Sequence, residues 1–183
     1  MREPLVPLVD HLPESTLAFE LPTPFPVGPV NCYVLLEEPV TVIDPGMLFG
    51  DTIATVGTEL AAVGLSVDDV DAVVVTHAHP DHYGTAGWLA EKADAPIYAG
   101  RAELPKLLET RDRQLLYELI RSFGIPEEML GVFPVFYGAV QEWLHEIDES
   151  RVVPVDDGDI LWLGGRQLEA MVTPGHAAGH LSL

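Results

Sequence analysis

Apolar runs come first along this chain, and residues at helical spacing come after them. Residues 30–36 and 40–43 are two apolar runs with Glu37, Glu38 and Pro39 between them, which predicts two strands joined by a turn. The second run ends in Asp44-Pro45-Gly46, a turn signature. From 51 to 63 small and apolar residues recur at helical spacing, with Gly64 as a stop. Residues 70–76 predict a further strand, and their unbroken apolar centre predicts a sheet covered on both faces. A helix over 83–93 and a short strand over 96–99 follow. Strand, helix and strand in that order predict a right-handed crossover between parallel strands.

The texture changes over 101–149. Leu107, Leu108, Leu115, Leu116, Leu119 and Ile120 recur at helical intervals, and Gly124-Ile125-Pro126 marks a break. A second helical stretch carries Trp143, Leu144 and Ile147 near its end. The segment predicts a helical hairpin inserted into a β-rich domain. Beyond it, 151–155, 160–163 and 167–172 predict three short strands, with Asp157-Gly158 and Gly164-Gly165 at their turns. The Asp156-Asp157-Gly158-Asp159 run lacks the loop length and closing Glu of a calcium site, so a hairpin turn is expected there.

Composition narrows the class. The 183 residues suit one domain over 1–183, and 48% apolar with 21% charged residues describes an ordinary globular chain. No apolar run approaches the roughly 20 residues of a membrane span. Pro and acidic residues interrupt the first residues where a secretory leader would be apolar, so a cytoplasmic protein is expected. With 29 acids against 9 bases, the formal charge of −20 repels phosphate backbones and anionic lipid. A small-molecule substrate is therefore expected, with neither nucleic acid nor membrane as partner; the oligomeric state is not encoded in these features. The lone Cys32 cannot form an internal disulfide, and its apolar strand makes it a core residue rather than a nucleophile.

The chemistry concentrates in His77-Ala78-His79-Pro80-Asp81-His82. His77 and His79, two apart in extended backbone, point the same way and can bind one ion together. Asp81 and His82 follow Pro80, where the chain turns into a helix, and can face a second ion. Such spacing arises by chance on the order of once in a thousand, and burying three imidazoles and a carboxylate without an ion is costly. A second segment, Thr173-Pro174-Gly175-His176-Ala177-Ala178-Gly179-His180, has glycines that let a loop bend close to an ion. His11 and His145 have no His or acidic partner at local spacing. A site rich in imidazole also predicts that ion retention falls as pH drops below about 6.5.

THAHPDHYG with TPGHAAGH resembles the metallo-β-lactamase superfamily, and within it the glyoxalase II-like hydrolases; VIDPG and DDGDILWLGG fit the same pattern. The resemblance spans nearly the whole chain and implies an α/β fold, the αββα sandwich, with 101–149 as a helical insertion. It implies His77, His79 and His176 as ligands of a first metal, and Asp81 and His82 as ligands of a second. Asp44 matches a buried acid that supports the histidine loop, and His180 a hydrogen-bonding position behind the ligands. The family's dinuclear members have a bridging Asp and a final His further on. The sequence ends at Leu183, inside what should be the next strand, so a domain incomplete at its C-terminus is expected.

The implied activity is hydrolysis of a thioester, ester or lactone by one or two zinc ions, with iron or manganese as other candidates and Asp81 orienting the attacking water. The alternatives are a mononuclear iron oxidoreductase of the persulfide dioxygenase type, and a metal-binding fragment without catalysis. A nuclease is opposed by the acidic balance. A diiron flavoprotein is opposed by His79, where that group has Glu.

Overall fold

Ala72, Val73, Val74 and Val75 are all buried, as an apolar run without polar alternation requires of a central strand. The computed structural model describes residues 12–108, 118, 121–122, 124, 130–131 and 138–183. Its main sheet has six strands in chain order: β1 (Thr16–Leu21), β2 (Val30–Leu35), β3 (Thr41–Ile43), β4 (Ala72–Val75), β5 (Ile97–Gly100) and β6 (Val152–Val155). β2 runs antiparallel to both β1 and β3, whereas β3 to β6 are parallel. Helix α1 (Thr52–Ala62) links β3 to β4; α2 (Pro80–Tyr83) and α3 (Ala86–Ala93) link β4 to β5.

The two faces of β4 fill two cores. Val73 and Val75 pack with Val56 and Leu60 of α1 and Leu89 and Ala90 of α3. Ala72 and Val74 face the other way, toward Leu35 and Leu163. Each fully buried Val contributes on the order of 1.5–3 kcal/mol by leaving water. Leu163 belongs to β7 (Ile160–Leu163), which pairs with β8 (Arg166–Glu169) through the left-handed Gly164-Gly165 turn, φ 54° and 69°. A side chain on Gly164 would collide with Leu35, so this turn both closes a hairpin and seats it on the main sheet. β9 (Met171–Val172) pairs with β10 (Leu181–Ser182), and Leu181 joins Val155 and Ala170 in a third cluster. Helices cover one face of the main sheet and strand pairs the other, which is the layering of the α/β fold expected from sequence.

Several elements differ from expectation. β1 is a half-buried edge strand whose weak alternation hid it from the periodicity. The helix expected over 83–93 starts earlier and breaks at Gly84-Thr85. Thr85 donates its hydroxyl to the Pro45 carbonyl at 2.6 Å and its N–H to Gly46 at 2.9 Å. A Cβ on Gly84 would lie 2.7 Å from both Met47 Cα and the Trp143 carbonyl. The strand expected over 167–172 is split at Ala170, whose N–H goes to the Asp159 carbonyl at 2.8 Å. The Asp156–Asp159 turn is present, but it is not a hairpin: β6 pairs with β5, and the turn carries the chain across to the second strand layer.

Within 101–149, α4 (Leu104–Leu107) follows a short 3-10 turn over Arg101–Glu103, and residues 138–141 are helical, ending before Trp143. Leu115, Leu116, Leu119, Ile120 and the Ile125-Pro126 break lie outside the described residues, so the hairpin itself does too. The C-terminal end of the segment docks on the α2–α3 region and beside it: the His145 N–H donates to the Gly84 carbonyl at 2.7 Å, and the Leu48 N–H donates to the Trp143 carbonyl at 2.8 Å. Among the described residues no helix is long and apolar enough to cross a membrane.

Candidate metal centre

Parallel strands end on one edge of their sheet, and the loops leaving that edge are free to converge. Asp44 follows β3, Thr76 to His82 follow β4, and Glu103 follows β5. Asp44 sits in left-handed backbone (φ 53°), a region in which Asp is better tolerated than most residues, and is only 6% exposed. Its Oδ1 accepts the Thr76 N–H at 2.8 Å. Its Oδ2 accepts the Thr76 hydroxyl at 2.6 Å and His82 Nδ1 at 2.8 Å. One buried carboxylate thus ties the ends of β3 and β4 together and aims His82.

These bonds also set the His77 tautomer. The Thr76 hydroxyl proton is committed to Asp44, so its oxygen accepts from His77 Nδ1 at 3.0 Å. His77 Nε2 is left with a lone pair, the form a metal ligand requires. His79, in extended backbone at the start of α2, presents Nδ1. His176 reaches both from the loop after β9, its Nε2 lying 3.1 Å from His77 Nε2 and 2.8 Å from His79 Nδ1. The three ligand atoms lie within 4.8 Å of one another.

Three imidazole nitrogens pointing at a common centre repel one another unless a proton or cation lies between them. Tetrahedral zinc with Zn–N of about 2.0–2.1 Å separates its ligands by about 3.3–3.4 Å, a few tenths beyond the two spacings at His176 and inside the 4.8 Å that spans all three atoms. The donor set therefore fits a divalent ion. Electrostatics agree. Burial, with the neighbouring imidazoles adding, pushes His77 down to about 3. Burial, then the charge of Lys106 on α4, pushes His79 down to about 4. Both are held neutral and ready to donate lone pairs.

Asp81 and His82 stand beside this trio but outside it, with Asp81 Oδ2 3.8 Å from His82 Nε2. Burial disfavours charge on His82, but the hydrogen bond to Asp44 and the charges of Asp44 and Asp81 outweigh it and raise its pKa. His180 donates or accepts through Nδ1 with the Thr173 hydroxyl at 3.1 Å, and its ring lies 5.1 Å from that of His77. His145 is remote from the trio, with Nδ1 at the Glu146 carbonyl and Nε2 3.6 Å from Glu91. His11 lies outside the described residues. Cys32 is fully buried, and burial, with Asp44 adding, pushes its thiol well up, which removes it as a nucleophile.

The sequence did not point to Thr76 or Glu103. Thr76 was visible only as the last residue of a strand. Glu103 is 2% exposed, and its carboxylate accepts the N–H of Ala78 at 2.9 Å and of Gly179 at 2.7 Å. Those partners are 25 and 76 residues away, beyond any local pattern.

Residues 25–183 match the family model of the metallo-beta-lactamase superfamily. The chain belongs to that superfamily. It is 30% identical over 165 residues to the metallo-beta-lactamase fold-containing protein ST1585 of Sulfurisphaera tokodaii, covering 86% of this chain and 56% of that one. A shorter match, 38% identical over 71 residues, is to the probable metallo-hydrolase YqjP of Bacillus subtilis, covering 39% of this chain and 22% of that protein. Among solved structures, the metallo-beta-lactamase family protein TTHA1429 from Thermus thermophilus superposes with a TM-score of 0.78 at 27% identity. That superposition covers 91% of this chain and 54% of the other. BJP-1, a subclass B3 metallo-beta-lactamase of Bradyrhizobium japonicum, shares the fold at a TM-score of 0.59 and 24% identity, over 85% of this chain and 50% of its own. The chain thus spans little more than half the length of ST1585 and TTHA1429.

Proposed function

We propose that this protein is a metal-dependent hydrolase of the glyoxalase II-like kind, acting on a small thioester, ester or lactone. The reading rests chiefly on the convergence of His77 Nε2, His79 Nδ1 and His176 Nε2 beside the carboxylate of Asp81. The three nitrogens would hold a zinc ion, or iron or manganese in its place, and a metal bound there would supply hydroxide near neutral pH. Asp81 would accept a hydrogen bond from that hydroxide at a carboxylate oxygen and so fix its direction. His82, oriented by Asp44 through Nδ1, keeps Nε2 turned to the same space as Asp81 and forms with it the start of a second ion site. Glu103 and Asp44 hold the loops in place from below.

The acidic balance of the chain, −20, supports a small-molecule substrate over nucleic acid or a membrane surface, and a cytoplasmic setting is part of the same reading. The likeness of VIDPG and DDGDILWLGG to the family's segments supports the glyoxalase II-like reading. The test is a panel of aryl thioesters, esters and lactones, assayed before and after chelation and after return of zinc, iron or manganese. Turnover that disappears on chelation, returns with one metal and is absent in His79→Ala supports the reading. Turnover indifferent to chelation, or oxygen uptake with a persulfide in an iron-loaded sample, contradicts it.

A further inference from the structure

Two loops must meet for the three nitrogens to converge, and one side chain joins them. The loop after β4 carries His77 and His79 with Ala78 between them. The loop after β9 carries His176, with Gly179 three residues on. Glu103 Oε2 accepts the Ala78 N–H at 2.9 Å, and Oε1 accepts the Gly179 N–H at 2.7 Å. The carboxylate is buried, and a buried carboxylate must have its oxygens satisfied. Here both are satisfied by the backbone of the ligand loops.

The contact is tight on the Gly179 side. A Cβ on Gly179 would lie 3.0 Å from Glu103 N and 3.1 Å from Glu103 Cγ and Ala102 Cβ. A Cβ on Gly100, at the end of β5, would strike the Gly179 carbonyl. Backbone thus lies on backbone, which is how a side chain as short as Glu reaches both loops. The 3-10 turn that holds Glu103 is the first turn of the inserted segment.

We propose that Glu103 is a positioning residue of the metal centre: it sets the separation between the His77–His79 pair and His176, and so tunes ion affinity without touching the ion. The proposal rests on the reading of these histidines as a metal site. Hydrogen-bonding partners behind metal ligands change affinity by about 10–100-fold when removed. Glu103→Gln keeps the shape but offers an amide N–H to one of two backbone N–H groups, so one loop loses its acceptor. Gly179→Ala keeps the carboxylate but crowds Glu103 N and Cγ, so it presses the His176 loop away from Glu103.

The experiment titrates the metal-free chain with cobalt(II), reading the visible d–d bands and the dissociation constant by chelator competition, with amide exchange at Ala78 and Gly179 and thermal unfolding alongside. The expected result is about 10–100-fold weaker cobalt binding in Glu103→Gln, altered bands, and faster exchange at one of the two amides, all measured well below the unfolding transition. Gly179→Ala should weaken cobalt binding by a smaller factor, with exchange at Ala78 unchanged. A folded Glu103→Gln with wild-type affinity and bands overturns the proposal while leaving the metal reading intact. Should Glu103→Gln fail to fold, wild-type affinity and bands in Gly179→Ala overturn it instead. A wild-type chain that takes up no cobalt overturns the metal reading and this proposal with it, and is recognised before any variant is compared.

Discussion

The two loops that supply the histidines are built in opposite ways. The loop after β4 grows from the most buried strand of the sheet; Asp44 fastens it through Thr76, Glu103 through Ala78, and His77 is only 3% exposed. The loop after β9 leaves a two-residue strand, and Thr173 to His176 are exposed. It is tied down at its far end, where Gly179 meets Glu103 and the Leu181 N–H donates to the Thr76 carbonyl at 2.8 Å. The difference teaches a division of labour. The first loop presents a preorganised pair of imidazoles; the second brings the third onto it from a less restrained stretch of chain.

The largest effects should follow from changes in the first loop. His77→Ala removes a ligand and leaves the Thr76–Asp44 pair without its partner. Ion affinity should fall by more than the roughly 10–100-fold that loss of an outer partner costs. His79→Ala should behave alike. Ion content after dialysis against a mild chelator measures both, and full retention in either variant breaks the comparison. Asp44→Ala should come next, because it deletes three hydrogen bonds to one buried carboxylate. A loss of about 2–4 kcal/mol is expected, or roughly 5–15 °C in Tm, read by thermal unfolding of the metal-free chain.

His176→Ala sharpens the contrast. It should weaken ion binding as a ligand loss does, yet leave the Tm of the metal-free chain within about 1–2 °C of wild type, since the side chain is exposed. A large fall in Tm would show that the second loop is as structural as the first. The smallest effect belongs to Arg101→Ala. It breaks an exposed pair with Asp156 and should change neither Tm nor ion binding measurably.

Acid separates the loops too. His77 and His79 titrate at about 3 and about 4 when folded, against 6.5 for a free imidazole. Between those limits the unfolded chain binds more protons than the folded one, so these residues cost stability as pH falls from about 6.5 toward 3. His82, raised, acts in the opposite direction: its contribution is full below the free-imidazole value and is lost as pH rises through its folded pKa. The Tm of the metal-free chain should therefore fall on acidification more steeply in wild type than in His77→Gln. The same values revise the expectation that ion retention declines from about pH 6.5. Protons compete poorly for His77 and His79 until well into the acid range, so the fall in affinity between pH 7 and 5 should involve fewer than three protons per ion.

What could be read from sequence follows the same division. The strand ahead of His77, the paired spacing of His77 and His79, and the glycine-bracketed His176 are local patterns, and period and turn chemistry reveal such things. Asp44 was recognisable because its VIDPG segment resembles the family's. Glu103 and Thr76 were not legible, because what matters about them is which distant backbone or side chain they meet. The break at Gly84 escaped for a similar reason: the helical period continues through it, and only the close approach of Met47 and Trp143 demands it.

The central claim is that three imidazoles from two loops share one ion. X-ray absorption at the metal edge, on the chain purified and dialysed without chelator, tests it most directly. At least one ion per chain is expected, bound by three imidazole nitrogens at about 2.0–2.1 Å if the ion is zinc, falling to two in His176→Ala. A chain that holds no ion, or one whose ion is bound by fewer than three imidazoles and is unchanged in His176→Ala, would contradict it.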